Sequence, residues 1–560
     1  MSADRTKIRW NGWGAEGFKN PISSREDVWT WLAAQLGMPS LLATPARPLD
    51  EIDLAPSGLA TDIRARFVAI LGEDRVRDDK YERAFHALGR SYHDLLRLRA
   101  GDLSTAPDVV LYPRGGEEVQ AVLACANDAG IAVVPFGGGT SVVGGVSAAK
   151  GSCAAVATLD LSGMDRFIGI DALSETATAE AGIYGPVLEK ALHASGMTLG
   201  HYPQSFEFST LGGWIAHRGA GQQSRAYGRP QDWLVSAKLA TPRGLLATED
   251  FPASGAGPRL TDLVIGSEGQ FGVLTEATFR VRPAPASKDY RGYLFRDFVG
   301  GTAAIRRAVQ EGLPAAMLRL SDADETRFYR AFGAIGKRRG IGSRIADFYL
   351  RLRKFDGNAA LMIAGFEGIA AEVKSGRERF AAIAKCLGAI SAGASPGTRW
   401  YEGRFHGPYL RDPMMDRGIG VDTLETATSW SKIDALYGAV RAALEKAILE
   451  TVPRPGARGV VTCHISHAYL DGASLYFTYI FPRALDGEIA QWRAIKTAAS
   501  DAIVANGGTI SHHHGVGEDH LPWIEKEKGA LGIEVLRAIK HTLDPNGILN
   551  PGKLIPPARP

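Results

Sequence analysis

The sequence predicts an α+β fold in which a helical N-terminal extension (residues 1–105) precedes a two-part domain (106–285), an antiparallel-sheet cap domain (286–520) and a C-terminal segment (521–560). Three observations carry this prediction. Residues 82–99 place apolar side chains at three- and four-residue spacing, the pattern of a surface helix packed on another unit. From Ala106 onward, short apolar strands alternate with amphipathic helices and run into glycine clusters. Between about 288 and 510, helices and alternating strands continue with little special glycine, as expected of a second domain.

Taken in order, Trp10-Asn11-Gly12-Trp13-Gly14 is too short to be a domain and reads as a turn docked on a later one. Val109-Val110-Leu111-Tyr112-Pro113 is a buried strand ended by proline, residues 117–129 an amphipathic helix and residues 131–135 a second strand, together a strand–helix–strand unit. Strand patterns at 154–161 and 176–181 and a helix at 184–195 follow. Pro283-Ala284-Pro285 marks a domain edge, and residues 532–541 form a helix stopped by Asp544-Pro545-Asn546-Gly547. Self-similarity at a period of ~20–50 residues is absent.

Composition removes several classes. The 560 residues carry 64 Lys and Arg against 61 Asp and Glu, a net charge of +3, which gives no electrostatic case for nucleic acid. No apolar run reaches the ~18 residues of a membrane span. The N-terminus lacks the apolar core of a signal peptide, and the C-terminal Ala558-Arg559-Pro560 is no peroxisomal or other address tripeptide. Four cysteines without a CxxC pair indicate neither a disulfide framework nor a zinc site. The chain therefore reads as a soluble intracellular protein. Glycine is in excess, at 66 of 560 or about 12%, against a usual ~7%. With only 29 prolines beside it, the excess belongs to a folded chain.

That excess has particular addresses. Pro135-Phe136-Gly137-Gly138-Gly139-Thr140-Ser141 follows a strand directly, and its three glycines let backbone N–H groups converge on a ligand such as a pyrophosphate. It is neither a Walker loop nor a G-x-G-x-x-G turn, and alone it also reads as a structural turn. Gln204-Ser205-Phe206-Glu207-Phe208-Ser209-Thr210-Leu211-Gly212-Gly213 and then His217-Arg218-Gly219-Ala220-Gly221 offer hydroxyls and bare backbone to a flat-lying cofactor. Gly266-Ser267-Glu268-Gly269-Gln270-Phe271-Gly272 repeats this chemistry.

Together the three segments resemble the FAD-binding domain of vanillyl-alcohol-oxidase-like flavoproteins. The resemblance implies that the first loop holds the FAD pyrophosphate, that residues 204–210, 217–220 and 266–272 contact ribityl chain, flavin ring and adenosine, and that the C-terminal segment returns to the FAD domain. Covalently flavinylated relatives commonly place a histidine beside the first loop. Phe136-Gly137 stands there, so non-covalent FAD is expected.

A narrower resemblance is to the alkyldihydroxyacetonephosphate synthases. It is carried by Trp10-Asn11-Gly12-Trp13-Gly14, Glu207-Phe208-Ser209-Thr210-Leu211-Gly212-Gly213-Trp214, Leu318-Arg319-Leu320, Tyr409-Leu410-Arg411-Asp412, Leu475-Tyr476-Phe477 and Ser511-His512-His513-His514-Gly515-Val516-Gly517, in that order. It implies Tyr476 as active-site acid/base, Arg319 and Arg411 as phosphate ligands, and His201 near the flavin. It also implies exchange of an acyl group for a fatty alcohol through an adduct on flavin N5, without net redox change. By residue type alone, the two arginines read as surface ion pairs and Tyr476 as a core tyrosine, although a guanidinium fork does suit phosphate. Along the strand, Tyr476 and Thr478 face one way and Leu475 and Phe477 the other. By the same alternation only His512 and His514 can share a side, which makes a three-histidine metal cluster geometrically poor; no metal is expected. Histidines donating hydrogen bonds and moving protons fit better, beside the plainer reading of a polar strand end.

Two departures matter. Gln204 stands where the synthases usually carry aspartate. The ending Asp544-Pro545-Asn546-Gly547-Ile548-Leu549-Asn550-Pro551-Gly552-Lys553 looks more like that of FAD-linked 2-hydroxy-acid dehydrogenases, the D-lactate or D-2-hydroxyglutarate type, which is the alternative reading. Those relatives carry a metal-binding glutamate where this chain has His513, which argues against them, although Cys463-His464-Ile465-Ser466-His467 offers other ligands. The expected partners are a phosphate-bearing, lipid-type small molecule and a second copy of the chain in a homodimer, with no nucleic acid. The expected setting is cytoplasmic, extending to peripheral membrane contact.

Overall fold

The computed structural model describes residues 8–18, 20–334, 355 and 357–557. Residues 1–7 and the C-terminal tripeptide, read above for a leader and an address signal, lie outside them.

Three larger sheets and one two-stranded pair organise the described residues. Strands β1 (Val76–Arg77), β2 (Val109–Leu111), β3 (Ile131–Phe136) and β4 (Ala155–Asp160) form the first, in the order β1-β2-β4-β3. Here β2, β4 and β3 run parallel, and helix Gly116–Ala129 is the crossover between β2 and β3. Every residue of β4 is buried, which is why these strands read as continuous apolar runs. Next come β5 (Phe167–Asp171), β6 (Thr176–Glu180), β7 (Met197–Thr198), β8 (Leu234–Thr241), β9 (Gly244–Ala247), β10 (Val273–Arg280) and β11 (Arg282–Pro283). They give a five-stranded antiparallel sheet, β5-β6-β10-β8-β9, and a small β11-β7 pair.

The third sheet is built from β12 (Ser287–Phe295), β13 (Met317–Ser321), β14 (Ala360–Gly368), β15 (Ile390–Gly393), β16 (Ile419–Ser429), β17 (Val460–Ile465) and β18 (Gly472–Pro482). Its order is β15-β12-β14-β13-β17-β18-β16, and all its pairings are antiparallel. Helices Phe298–Gln310, Ala370–Cys386, Ile433–Thr451 and Glu488–Ala505 contribute to its apolar core. Alternation along β18 holds: Leu475 and Phe477 are in that core, each worth roughly 1.5–3 kcal/mol of burial, while Tyr476 and Thr478 face a cavity.

The stretch 82–99 is not one surface helix. Helices Lys80–Phe85 and Tyr92–Ala100 are separate, and Leu95, Leu96 and Leu98 are buried. Between them the backbone meets the first glycine loop: Arg90 N donates to Ser141 O at 2.7 Å, and a Cβ on Gly89 would lie 2.6 Å from that same oxygen. The second helix restarts with a capping box, Ser91 with Asp94. Both pieces keep the helical period, so periodicity alone does not register the break.

The predicted tail helix is longer than 532–541, running Ile524–Leu543 with a non-helical Gly529 (φ 73°). Beyond it the chain adds to the first sheet: Val133 N donates to Ile548 O at 2.8 Å and Asn550 N to Val133 O at 2.9 Å.

Candidate active site

A cavity of about 390 Å³ lies between the glycine loops and the third sheet. Residues 135–141 line it, as do Gln204, Ser205, Ser209, Thr210, His217, Gly219, Ala220, Ser267, Glu268, Gly269 and Gly272. Of the other residues predicted for this role, Phe206, Phe271 and His201 are buried behind the wall. His201 packs its ring 4.7 Å from that of Trp214 and 5.5 Å from that of Trp233. Phe208 packs against Tyr409 and exposed Glu207 accepts a hydrogen bond from the Tyr409 hydroxyl at 2.8 Å, so both hold the loop against the cap. Arg218, at φ 54°, lies against Gly266, where a Cβ would meet its Cδ at 2.7 Å, and Gln270 donates to Asn550 O.

The loops suit a large phosphate-bearing cofactor. A Cβ on Gly137 would lie 2.3 Å from Thr210 Oγ1, and one on Gly138 only 1.7 Å from Phe208 O, so the first and second loops meet backbone to backbone. Gly139 adopts φ +66°, a conformation that glycine takes without strain. Among the described residues, three buried polar atoms on this wall have no partner: His217 Nδ1, Trp13 Nε1 and Asn550 Oδ1. A cradle without side chains, flanked by unsatisfied polar atoms, fits FAD.

The opposite wall carries the ionisable groups. On β13, Arg319 Nη2 donates to Glu325 at 3.0 Å and lies 2.9 Å from His464 Nδ1 on β17. Burial would raise the Glu325 carboxyl, but Arg319 and His464 hold it down at about 2. Arg411 donates to the backbone oxygen of Arg90 at 2.9 Å and stands 3.9 Å from Asp422, whose other oxygen is shared by Tyr479 and Trp492. Both arginines line the cavity and are largely buried, so neither is a surface ion pair. Tyr476 stacks on His464 with ring centroids 4.9 Å apart, and burial pushes its hydroxyl up to about 12 despite a hydrogen bond with Thr423.

The histidine run does not alternate, because it forms a turn rather than extended chain. His512 Nδ1 and His513 Nδ1 lie 3.0 Å apart, and His513 and His514 both reach the cavity. His512 is set back, its Nε2 2.5 Å from the Tyr469 hydroxyl and 3.2 Å from Arg229. The alternation argument against a shared ligand therefore fails: ligating atoms of His467, His512 and His513 lie within 4.8 Å of one another, as do those of Glu425, His513 and His514. Beneath the run sits Glu425, which sequence reading missed; its signal was the one glutamate, alongside Asp422, in the otherwise apolar and threonine-rich strand β16.

The N-terminal tryptophan turn docks as expected, on the cap. Trp13 N donates to Asp412 at 2.8 Å, and a Cβ on Gly14 would strike the Tyr409 ring at 2.6 Å. Trp13 also lines the cavity, beyond the docking role read from sequence. Arg90 ties the parts together: its Nε donates to Gly12 O at 3.0 Å, its backbone N to the first glycine loop, and its backbone oxygen accepts from Arg411.

Burial pushes the imidazoles of His201 and His514 down to about 3, and those of His467 and His520 well below the ordinary range. Unfolded, these groups protonate near 6.5. The folded chain thus binds fewer protons, and stability is complete above that pH and falls below it, by up to ~1.4 kcal/mol per pH unit for each group. Asp94 and Asp322, raised by burial to about 6 and about 7, act oppositely, since their contribution is lost as pH rises above 3.8. Burial likewise lowers His464 and His512 and raises Glu189 and Asp412, so among the described residues six imidazoles stand against four carboxyls. The thermal midpoint should fall steadily from about pH 6.5 to about 4.5; a flat or rising midpoint in that window would refute neutral buried histidines.

Residues 107–248 match the family model of the FAD binding domain, and residues 284–554 that of the C-terminal domain of FAD linked oxidases. The chain is similar to alkyldihydroxyacetonephosphate synthase of Dictyostelium discoideum, 33% identical over 98% of this chain and 94% of that one. The Trypanosoma brucei brucei protein of the same name is 31% identical over 98% and 92%. A solved structure of alkyldihydroxyacetonephosphate synthase superposes with a TM-score of 0.82 at 31% identity, covering 98% of this chain and 99% of that one.

Proposed function

The chain belongs to the alkyldihydroxyacetonephosphate synthase family of FAD-dependent enzymes, and from that premise we propose that it replaces the acyl group of an acyl-dihydroxyacetone phosphate by a long-chain alcohol. The observation that carries this reading is the meeting of the glycine cradle, Arg411, Tyr476 and the histidine turn around one cavity.

Residues 135–141, Ser209, Thr210, His217, Gly219, Ala220, 267–269 and Gly272 would hold FAD, without a covalent bond since Phe136 occupies the place of an attaching histidine. Bound there, FAD supplies a ring that activates the substrate carbon for substitution without net electron transfer. Arg411 presents its guanidinium to the phosphate, its position fixed by the Arg90 carbonyl. Arg319, already compensated by Glu325, is the secondary cation. Tyr476 is a neutral phenol at physiological pH and so donates a hydrogen bond to oxygen at the reacting centre. Met317, Phe328, Leu410, Met414, Val421 and Ile480 give the cap side an apolar lining for the acyl and alkyl chains. The reading extends to a cytoplasmic homodimer that meets its substrate at a membrane surface. Among the described residues no helix is long and apolar enough to cross a membrane.

The test is anaerobic. Purified protein is mixed with acyl-dihydroxyacetone phosphate and hexadecanol, and separately with D-lactate and D-2-hydroxyglutarate. Exchange of acyl for alkyl with no electron acceptor consumed is expected. Bleaching to stable reduced flavin by a hydroxy acid would replace this reading with the dehydrogenase one.

A further inference from the structure

The histidine turn is gripped from two sides by buried carboxylates. Glu425, on β16 directly opposite Tyr476 of β18, accepts the backbone N–H of His513 and, at 2.9 Å, that of His514. Glu268, from the third glycine loop, accepts the N–H of Val516 and of Gly517 at 2.6 and 2.7 Å. The turn is thus suspended between the cap sheet and the glycine loops, and the backbone oxygen of Glu268 is itself fixed by Asn550 at 2.6 Å. The second oxygen of Glu425 rests against His513 Nδ1 and lies 3.4 Å from His512 Nδ1. The polar contacts of the His513 ring fall on Nδ1, which leaves Nε2 for the cavity that this residue lines.

We propose that Glu425 is the positioning residue and charge partner of His513, and that His513 Nε2 takes the proton released by the incoming alcohol. This inference rests on the functional reading above and names the base within it. Over the exchange, the alcohol oxygen bonds to carbon 1 of the dihydroxyacetone unit and the bond from that carbon to the acyl oxygen breaks. The electron pair of that bond leaves with the carboxylate. The hydroxyl proton passes to His513 Nε2 and then to the departing carboxylate, while Glu425 balances the charge held meanwhile on the ring. Glu268 sets where the turn stands relative to the glycine loops.

The surroundings support this division. Around Glu425 stand His512, His513 and His514 of the turn, His467 and Tyr469 between β17 and β18, Tyr476 on β18, and the cations Arg229, Arg411 and Lys496. Burial alone would raise the Glu425 carboxyl, but His513, His514 and the hydrogen bonds of the turn hold it well below the usual range. Burial moves His467, His512 and His514 toward the neutral form. Glu425 is therefore a fixed negative charge set against the turn.

The test is Glu425→Gln in the holoenzyme, which keeps an acceptor for the backbone N–H groups and removes the charge. kcat for the exchange should fall ~100- to 1000-fold, with FAD content unchanged and KM within about threefold, a split that a merely structural role would not produce. If wild type exchanges acyl for alkyl and Glu425→Gln turns over within threefold of it, the role of Glu425 is overturned; if wild type performs no exchange, the functional reading itself fails. Loss of FAD together with activity in Glu425→Gln would also overturn the inference, by making the residue structural. Should that variant not fold, His513→Asn decides: a lost kcat with FAD and KM retained supports the pair, and an undiminished kcat overturns it.

Discussion

Gly138→Ala should purify colourless. The added methyl would lie 1.7 Å from Phe208 O, 2.8 Å from Phe208 C and 3.0 Å from Ser209 Cα, all backbone atoms with no rotamer to yield. Something must move by more than an ångström, and the candidates are the two loops that form the cradle. Overpacking of this kind usually costs ~1–3 kcal/mol where side chains can adjust. Here it falls on backbone that the cofactor itself must meet, so FAD affinity should drop at least ~100-fold, which is the binding equivalent of about 2.7 kcal/mol. The measurement is flavin absorbance per chain after gel filtration, with the thermal midpoint alongside. Gly169→Ala is the control: a Cβ there meets nothing within 4 Å, and the protein should stay yellow. A Gly138→Ala protein with full FAD would remove residues 137–139 from the cofactor site.

The glycine loops were legible because a backbone-to-backbone contact leaves a mark in composition. Only glycine can occupy such a position, whatever the partner strand contains. The facing of Tyr476 was legible for a similar reason, since strand alternation is local and Leu475 and Phe477 already point to the core. What remained hidden depends on partners far along the chain. The helix break at 86–91 exists because Ser141 must be met, and the histidine turn is bent by Glu425 and Glu268, 88 and 248 residues away from the groups they hold. Neither constraint alters the period of the local sequence. Glu425 escaped notice because a single glutamate within a threonine-rich strand resembles an exposed-edge residue until the opposing Tyr476 is placed beside it.

Tyr476→Phe should keep FAD and lose the reaction. The substitution removes one hydroxyl and leaves the ring, so the stack on His464 at 4.9 Å and the 5.7 Å contact with His514 survive. Cofactor content and thermal midpoint should therefore match wild type. Burial, with Glu425 adding to it, raises the hydroxyl to about 12 even though Thr423 and Arg411 act to lower it. At neutral pH the phenol is a donor and cannot serve as the resting base, so its loss deprives the reacting oxygen of a hydrogen bond where charge develops. General-acid contributions of this kind are worth ~10²- to 10⁴-fold in rate, and the proposed alkyl exchange should fall within that range while KM for the phosphate-bearing substrate, set by Arg411, changes little. The same reasoning fixes the pH dependence: a group held near 12 yields no alkaline limb in kcat below about pH 10. An alkaline limb near pH 8 that disappears in Tyr476→Phe would show the tyrosine titrating as a base, and undiminished turnover in the variant would remove it from proton transfer altogether.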